Sequence, residues 1–150
     1  MVNEDMKRSA KEAAPQRDWF LQFLVNMANK NRFKMEITLN VGGFLISGTL
    51  AGAKEYFADF GSDFAASFEA GKNSEEIKTT FRKIGDECAC VSHSEQTDAP
   101  SYIHLKNAGF FDAQGNSIQG KRDVWWRGRI SMVNGFMPGT LVSPGTSSAP

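Results

Sequence analysis

The chain has 150 residues, 41% of them hydrophobic, and its 17 basic side chains are balanced by 17 acidic ones. That length gives one domain with a core of its own, and the hydrophobic share excludes disorder throughout. With a formal net charge of zero there is no general electrostatic pull towards nucleic acid and little self-repulsion to oppose association.

Residues 1–15 mix Lys7, Arg8 and Lys11 with Glu4, Asp5 and Glu12, carry no apolar run, and read as a disordered arm rather than a targeting segment. No stretch approaches the roughly 18 apolar residues of a membrane helix, so the expected setting is cytoplasmic, with no membrane contact. From Asp18, a helix N-cap, the period is helical. Trp19, Phe20, Phe23, Leu24 and Met27 mark the apolar stripe of a helix over residues 16–30. From Phe33 the period switches to two: Phe33, Met35, Ile37 and Leu39 alternate with Lys34, Glu36, Thr38 and Asn40, the pattern of a half-buried strand. Val41-Gly42-Gly43 supplies the positive φ of a tight hairpin. A second strand follows over 44–50, with Gly48 marking a bend where backbones approach.

Helical periodicity returns over 53–88. Phe57, Phe60, Phe64 and Phe68, from a total of 12 Phe, line one face of the first helix, and Gly71 ends it. Asn73 with Glu76 resembles a capping box ahead of the stripe Ile77, Phe81, Ile84. These stripes predict core and helix-to-sheet packing; an exposed interaction groove or lipid-facing surface is the alternative. Residues 89–100 form a polar linker. Strands resume at Tyr102, with Ile103 and Leu105 on one side and Tyr102, His104 and Lys106 on the other. After a loop over 112–120, a strand of 122–131 places Val124, Trp126, Gly128 and Ile130 on one face and Trp125, Arg127 and Arg129 on the other. Asn134-Gly135 is a hairpin signal, and a last strand over 136–142 precedes a Ser/Gly/Pro-rich tail, 143–150, expected to be disordered. One helix and five short, bent strands predict a small, strongly curved antiparallel barrel, because an open sheet this short leaves apolar surface uncovered.

The chain has no Gly-x-Ser-x-Gly elbow, phosphate loop or His-Glu-x-x-His motif, and its two histidines, His93 and His104, lie in different segments. No pair of carboxylates is placed in one pocket, so the expectation is a non-enzymatic protein without a cofactor. Cys88, Cys90 and His93 offer three zinc ligands, but the spacing is that of no recognised finger and no fourth ligand is near, so no metal is expected. Cys88 continues the Ile77, Phe81, Ile84 stripe as a packed thiol, and two cysteines so close make a poor disulfide. The candidate contact face joins Trp125, Arg127 and Arg129 with Tyr102, His104 and Lys106. Alternating aromatic and guanidinium groups mark protein–protein hot spots, and they also stack bases or pair with phosphate. The plain structural alternative has Trp125 packed under the helical insertion and the arginines paired with acidic neighbours.

Ile37-Thr38-Leu39, followed by Gly43 and Gly48-Thr49-Leu50, resembles the first motif of the Sm-like fold. Trp126-Arg127-Gly128-Arg129-Ile130 is similar to the Arg-Gly core of its second motif. This resemblance implies a bent five-stranded barrel with an N-terminal helix, rings built by pairing edge strands and, in many members, binding of uridine-rich RNA. Here the other half of the nucleotide pocket is replaced by Lys54-Glu55-Tyr56-Phe57-Ala58-Asp59, which opens the helical insertion. A more extensive similarity, over 18–142, is to the gas vesicle accessory protein U family. It is carried by the segments 36–43, 46–49, Ala53-Lys54-Glu55-Tyr56-Phe57, Ile103-His104-Leu105-Lys106-Asn107, Trp126-Arg127-Gly128-Arg129-Ile130 and Val133-Asn134-Gly135-Phe136. It implies a non-enzymatic accessory protein acting in the assembly or organisation of gas vesicles. The combined expectation is one Sm-like domain over 16–142, with a helical insertion (53–88) between strands 2 and 3. The expected partners are a second copy of the chain, in a homo-oligomer such as a ring, and gas vesicle proteins. A module for uridine-rich single strands of RNA is the alternative.

Overall fold

Asp18 caps the first helix, as its place ahead of an apolar run predicts. In a computed structural model of the chain its Oδ1 accepts from the amides of Phe20 and Leu21 at 2.9 and 3.2 Å, and helix α1 (Trp19–Asn31) starts there. The structure describes residues 16–31, 33–68, 73–90, 99–118, 120 and 123–142. The expected arm (1–15), residues 91–98 of the polar linker with His93, and the tail (143–150) lie outside them. The buried stripe of α1 is Leu21, Leu24, Val25 and Ala28, while Trp19 is 76% exposed and Phe20 and Phe23 also face outwards. The expected aromatic stripe is therefore displaced by one residue, a rotation of about 100°, which periodicity alone does not resolve.

Strands β1 (Met35–Val41) and β2 (Phe44–Ala51) follow, joined through Gly42 and Gly43 at φ 61° and 90°. Then come helices α2 (Ala53–Ala66) and α3 (Asn73–Cys90), strands β3 (Tyr102–Phe111) and β4 (Val124–Arg129), a 3₁₀ turn (Ile130–Met132) and β5 (Gly135–Pro138). The fold is α+β, and its five strands form one antiparallel sheet in the order β4-β3-β2-β1-β5. The expected closed barrel is not formed: β4 and β5 stand at opposite edges, with no pairing between them among the described residues. Helix α1 takes over the covering that closure was to provide. Its aliphatic stripe meets Ile37, Leu39, Ile46, Leu50, Ile103 and Leu105, and Trp126 and Val124 pack at the margin of this core.

Asn134-Gly135 is likewise not a hairpin turn. The 3₁₀ turn carries the chain from one sheet edge to the other, with Ile130 buried on the way. Asn134 then docks on the β1–β2 turn, where its amide donates to Asn40 O at 2.8 Å and its Oδ1 accepts from Gly42 N at 2.9 Å. The last strand pairs only as far as Pro138. Gly48 sits at the register shift between β2 and β3, and a Cβ there would lie 2.9 Å from Lys106 O, so the close approach read from the sequence is present.

The second face of the sheet is covered in two places. Residues 139–141 lie over Thr38 and Ser47, both buried. Thr38 Oγ1 donates to Gly139 O at 2.8 Å. Its single hydrogen is thereby used, so in the 2.6 Å Thr38–Ser47 pair the Ser47 hydroxyl donates, and Ser47 Oγ accepts from Leu141 N at 2.7 Å. Further along, α2 covers β3, and α3 packs on α2. Gly61 and Gly85 allow that approach: a Cβ on Gly61 would lie 2.5 Å from Phe81 Cβ, and one on Gly85 would lie 3.1 Å from Lys54 Cα. The Phe stripe is not sheet core. Helix α2 buries Ala53, Gly61 and Ala65, while Phe60, Phe64 and Phe68 stay exposed and stack along the hairpin with Phe81. Cys88, expected as a packed thiol, is exposed and free.

Candidate functional site

Antiparallel pairing of β3 with β4 sets Tyr102 opposite Arg129 and His104 opposite Arg127. A register break between Leu105 and Ala108 then leaves Lys106 with its Nζ 5.4 Å from the centre of the Trp125 ring. The first turns of α2 lie on this face. Glu55 and Asp59, four residues apart and so on one side of the helix, both reach the strands. Glu55 Oε1 accepts from Lys106 Nζ at 2.8 Å; Asp59 Oδ2 is 3.4 Å from the same nitrogen and accepts from Trp125 Nε1 at 3.2 Å. Lys34, just ahead of β1, adds a longer contact to Glu55 at 3.4 Å. The Tyr56 ring lies 4.5 Å from that of His104 and meets Trp125 edge-on at 5.4 Å.

These contacts set the charge states. The hydrogen bond that Lys106 donates to Glu55, with the charges of Glu55 and Asp59, holds Lys106 above its ordinary value against the opposing effect of burial. Burial raises the Glu55 carboxyl, but the bonds and charges of Lys106 and Lys34 outweigh it and leave it below the ordinary 4.5. His104 is 4% exposed. Burial first, and the Arg127 charge second, push it down to about 3, so the imidazole is neutral. Arg127 Nε donates to His104 Nε2 at 3.2 Å. The ring hydrogen therefore sits on Nδ1, which is buried with no partner among the described residues. A neutral histidine so far from its working range is no proton carrier near neutral pH.

Arg127 is placed differently. Its guanidinium carbon lies 3.6 Å from the centre of the Tyr102 ring and 5.9 Å from that of Phe57, yet the residue as a whole is exposed. No carboxylate pairs with it among the described residues, and Arg129 beside it is exposed as well. Trp125 thus packs under the helical insertion, as the plain alternative had it, whereas among the described residues the arginines lack the acidic neighbours that alternative required. Trp126 faces the core, its indole lying across Gly128, where any Cβ would overlap the ring. Of the six strand residues named from the sequence, His104, Lys106 and Trp125 are held by α2, Arg127 and Tyr102 stack on each other beside them, and Arg129 borders the group. The helix residues Glu55, Tyr56 and Asp59 were missed as members of this face. Their signal was the spacing of two carboxylates and a tyrosine on one side of a predicted helix. Among the described residues no group of His, Cys, Asp and Glu is arranged to hold a metal, and no helix is long and apolar enough to cross a membrane.

The model of the gas vesicle protein GvpU-like family matches residues 18–141. The chain belongs to that family. The GvpU-like match takes in every element from α1 to β5, and with them the whole β3–β4 face and its helical cover. No curated protein and no solved structure matches the chain.

Proposed function

We propose that this GvpU-like chain is a non-enzymatic, self-associating accessory protein of gas vesicles, acting in their assembly or organisation through protein contacts on the β3–β4 face. The observation that supports it most is the division of labour on that face. Tyr102, His104, Lys106 and Trp125 are held by α2 or by stacking, while Arg127 and Arg129 stay exposed without acidic partners among the described residues. An aromatic-backed guanidinium at Arg127, with exposed Arg129 beside it and no acidic partner for either among the described residues, suits recognition of another molecule. The carboxylates nearby are committed to Lys106 and Trp125, and His104 is buried and neutral, which favours binding over catalysis.

Self-association has support of its own. Strands β4 and β5 each leave one edge unpaired among the described residues. Exposed Trp19, Phe20 and Phe23 add apolar surface beside β5, with Phe20 and Phe136 ring centres 5.7 Å apart. The test uses the buoyancy of gas-filled shells. Purified chain mixed with isolated gas vesicles is expected to rise with them on centrifugation, and to behave as a defined oligomer by light scattering. Chain left wholly in the liquid below would refute the vesicle role, and a strict monomer at high concentration would refute self-association.

A further inference from the structure

The guanidinium of Arg127 is fixed on two sides. Its Nε is bonded to His104 Nε2 at 3.2 Å, and one of its planar faces lies on Tyr102 at 3.6 Å. Those contacts take up the Nε edge and one face of the fork and leave the Nη1/Nη2 edge without a partner among the described residues. An arginine held this way has already lost most of its rotamer freedom, so a bidentate partner meets a pre-formed site. We infer that Arg127 is a carboxylate-binding point, whose Nη1/Nη2 edge takes an Asp or Glu side chain from an acidic segment of a partner protein, with Arg129 adding a second positive charge.

Two features favour an acidic peptide over a nucleic acid backbone. The basic residue next along the face, Lys106, is already neutralised by Glu55 and Asp59, so a phosphate chain running on from Arg127 would pass two carboxylates. The aromatic rings a base would need are also engaged: Trp125 and Tyr56 pack on each other, and Tyr102 carries the guanidinium. One carboxylate on one fork requires neither a basic track nor a free ring.

The inference rests on the β3–β4 face being a protein contact, and its test separates the two. Fluorescein-labelled hexaglutamate is titrated with the whole chain at low ionic strength and followed by anisotropy. Binding is expected, weakened about tenfold or more by Arg127→Lys, which keeps the charge and removes the fork. A wild-type readout runs beside it: the Arg127 side-chain Nε–H resonance should move as hexaglutamate is added. Affinity unchanged in Arg127→Lys, or a resonance that stays still, would overturn the carboxylate site. So would oligouridylate bound more tightly than hexaglutamate with the same dependence on Arg127. Co-flotation with gas vesicles that is indifferent to Arg127→Lys would leave the vesicle role standing and sink this site. Arg127-dependent hexaglutamate binding without co-flotation would do the reverse.

Discussion

Replacing Gly61 by alanine sets two effects of opposite sign against each other, and the structure decides between them. In the interior of a helix alanine is favoured over glycine by about 1 kcal/mol. At Gly61, however, the new Cβ would lie 2.5 Å from Phe81 Cβ and 2.9 Å from Phe81 Cγ. Carbon atoms rest at about 3.5–4.0 Å. The Cβ and Cγ of Phe81 are the root of its side chain, and swinging the ring does not withdraw Cβ, so α2 and α3 must separate by about 1 Å. Overpacking of this sort costs about 1–3 kcal/mol, which outweighs the helical gain at its upper end and cancels it at its lower. The expected result for Gly61→Ala is a net loss of up to about 2 kcal/mol, and a larger loss for Gly61→Val. Urea denaturation followed by circular dichroism should show a lower midpoint with an unchanged slope. An alanine variant that is more stable by the full helical increment would show that α2 does not touch α3 at Gly61, and would refute the packing of the hairpin described above.

The polar chain on the second sheet face makes a sharper case. Thr38→Val keeps the shape of the side chain but strands the buried Ser47 hydroxyl and removes the donor to the part-buried Gly139 O, for an expected loss of about 1–3 kcal/mol in the same denaturation assay. Unchanged stability would mean that residues 139–141 are not tied to the sheet in this way. The pH dependence follows from His104. Its folded imidazole titrates at about 3 against an ordinary 6.5, so on acidification the unfolded chain takes up a proton that the folded chain refuses. Stability is therefore whole above pH 6.5 and falls as the pH drops from there towards 3, by as much as about 1.4 kcal/mol per unit. The His104 ring resonances should still be those of the neutral form at about pH 5, and a midpoint near its ordinary value would disprove the burial.

Strands were legible wherever one face is buried by aliphatic side chains. Ile37, Leu39, Ile103 and Leu105 alternate with polar neighbours and are all fully buried. The errors fell where two patterns competed. On α1 an aromatic and an aliphatic stripe one residue apart have the same spacing, and the aliphatic one won against the sheet. The Phe residues of α2 repeat at helical intervals because they line a hairpin, and the close approach of its helices is allowed by Gly61 and Gly85, which no hydrophobic pattern marks. Asn134-Gly135 carried a turn signal, but Ile130 enters the core just before it, and the chain crosses to the opposite edge instead of folding back. Closure of the sheet failed as a prediction for a related reason. Strand count and Gly48 foretell curvature, whereas covering by α1 was the competing way to bury the same apolar face.

The candidate site shows why the strand half was visible from sequence and its purpose was not. Aromatic and basic residues alternating along β4 announce a face, but not what lies on it. Helix α2 supplies that, and its effect runs through one histidine. Tyr56 and Phe57 cover His104, with ring centres 4.5 and 6.0 Å away, and so remove it from water. Being buried, it is held neutral; being neutral, it keeps a lone pair on Nε2 to accept from Arg127 Nε. That bond takes the Nε edge and Tyr102 takes a face, so the Nη1/Nη2 edge of the fork is left without a partner among the described residues. A protonated His104 would instead repel the guanidinium and release it. The orientation of the exposed arginine is thus a consequence of the burial of its cross-strand partner beneath a helix, which no reading of β4 alone contains.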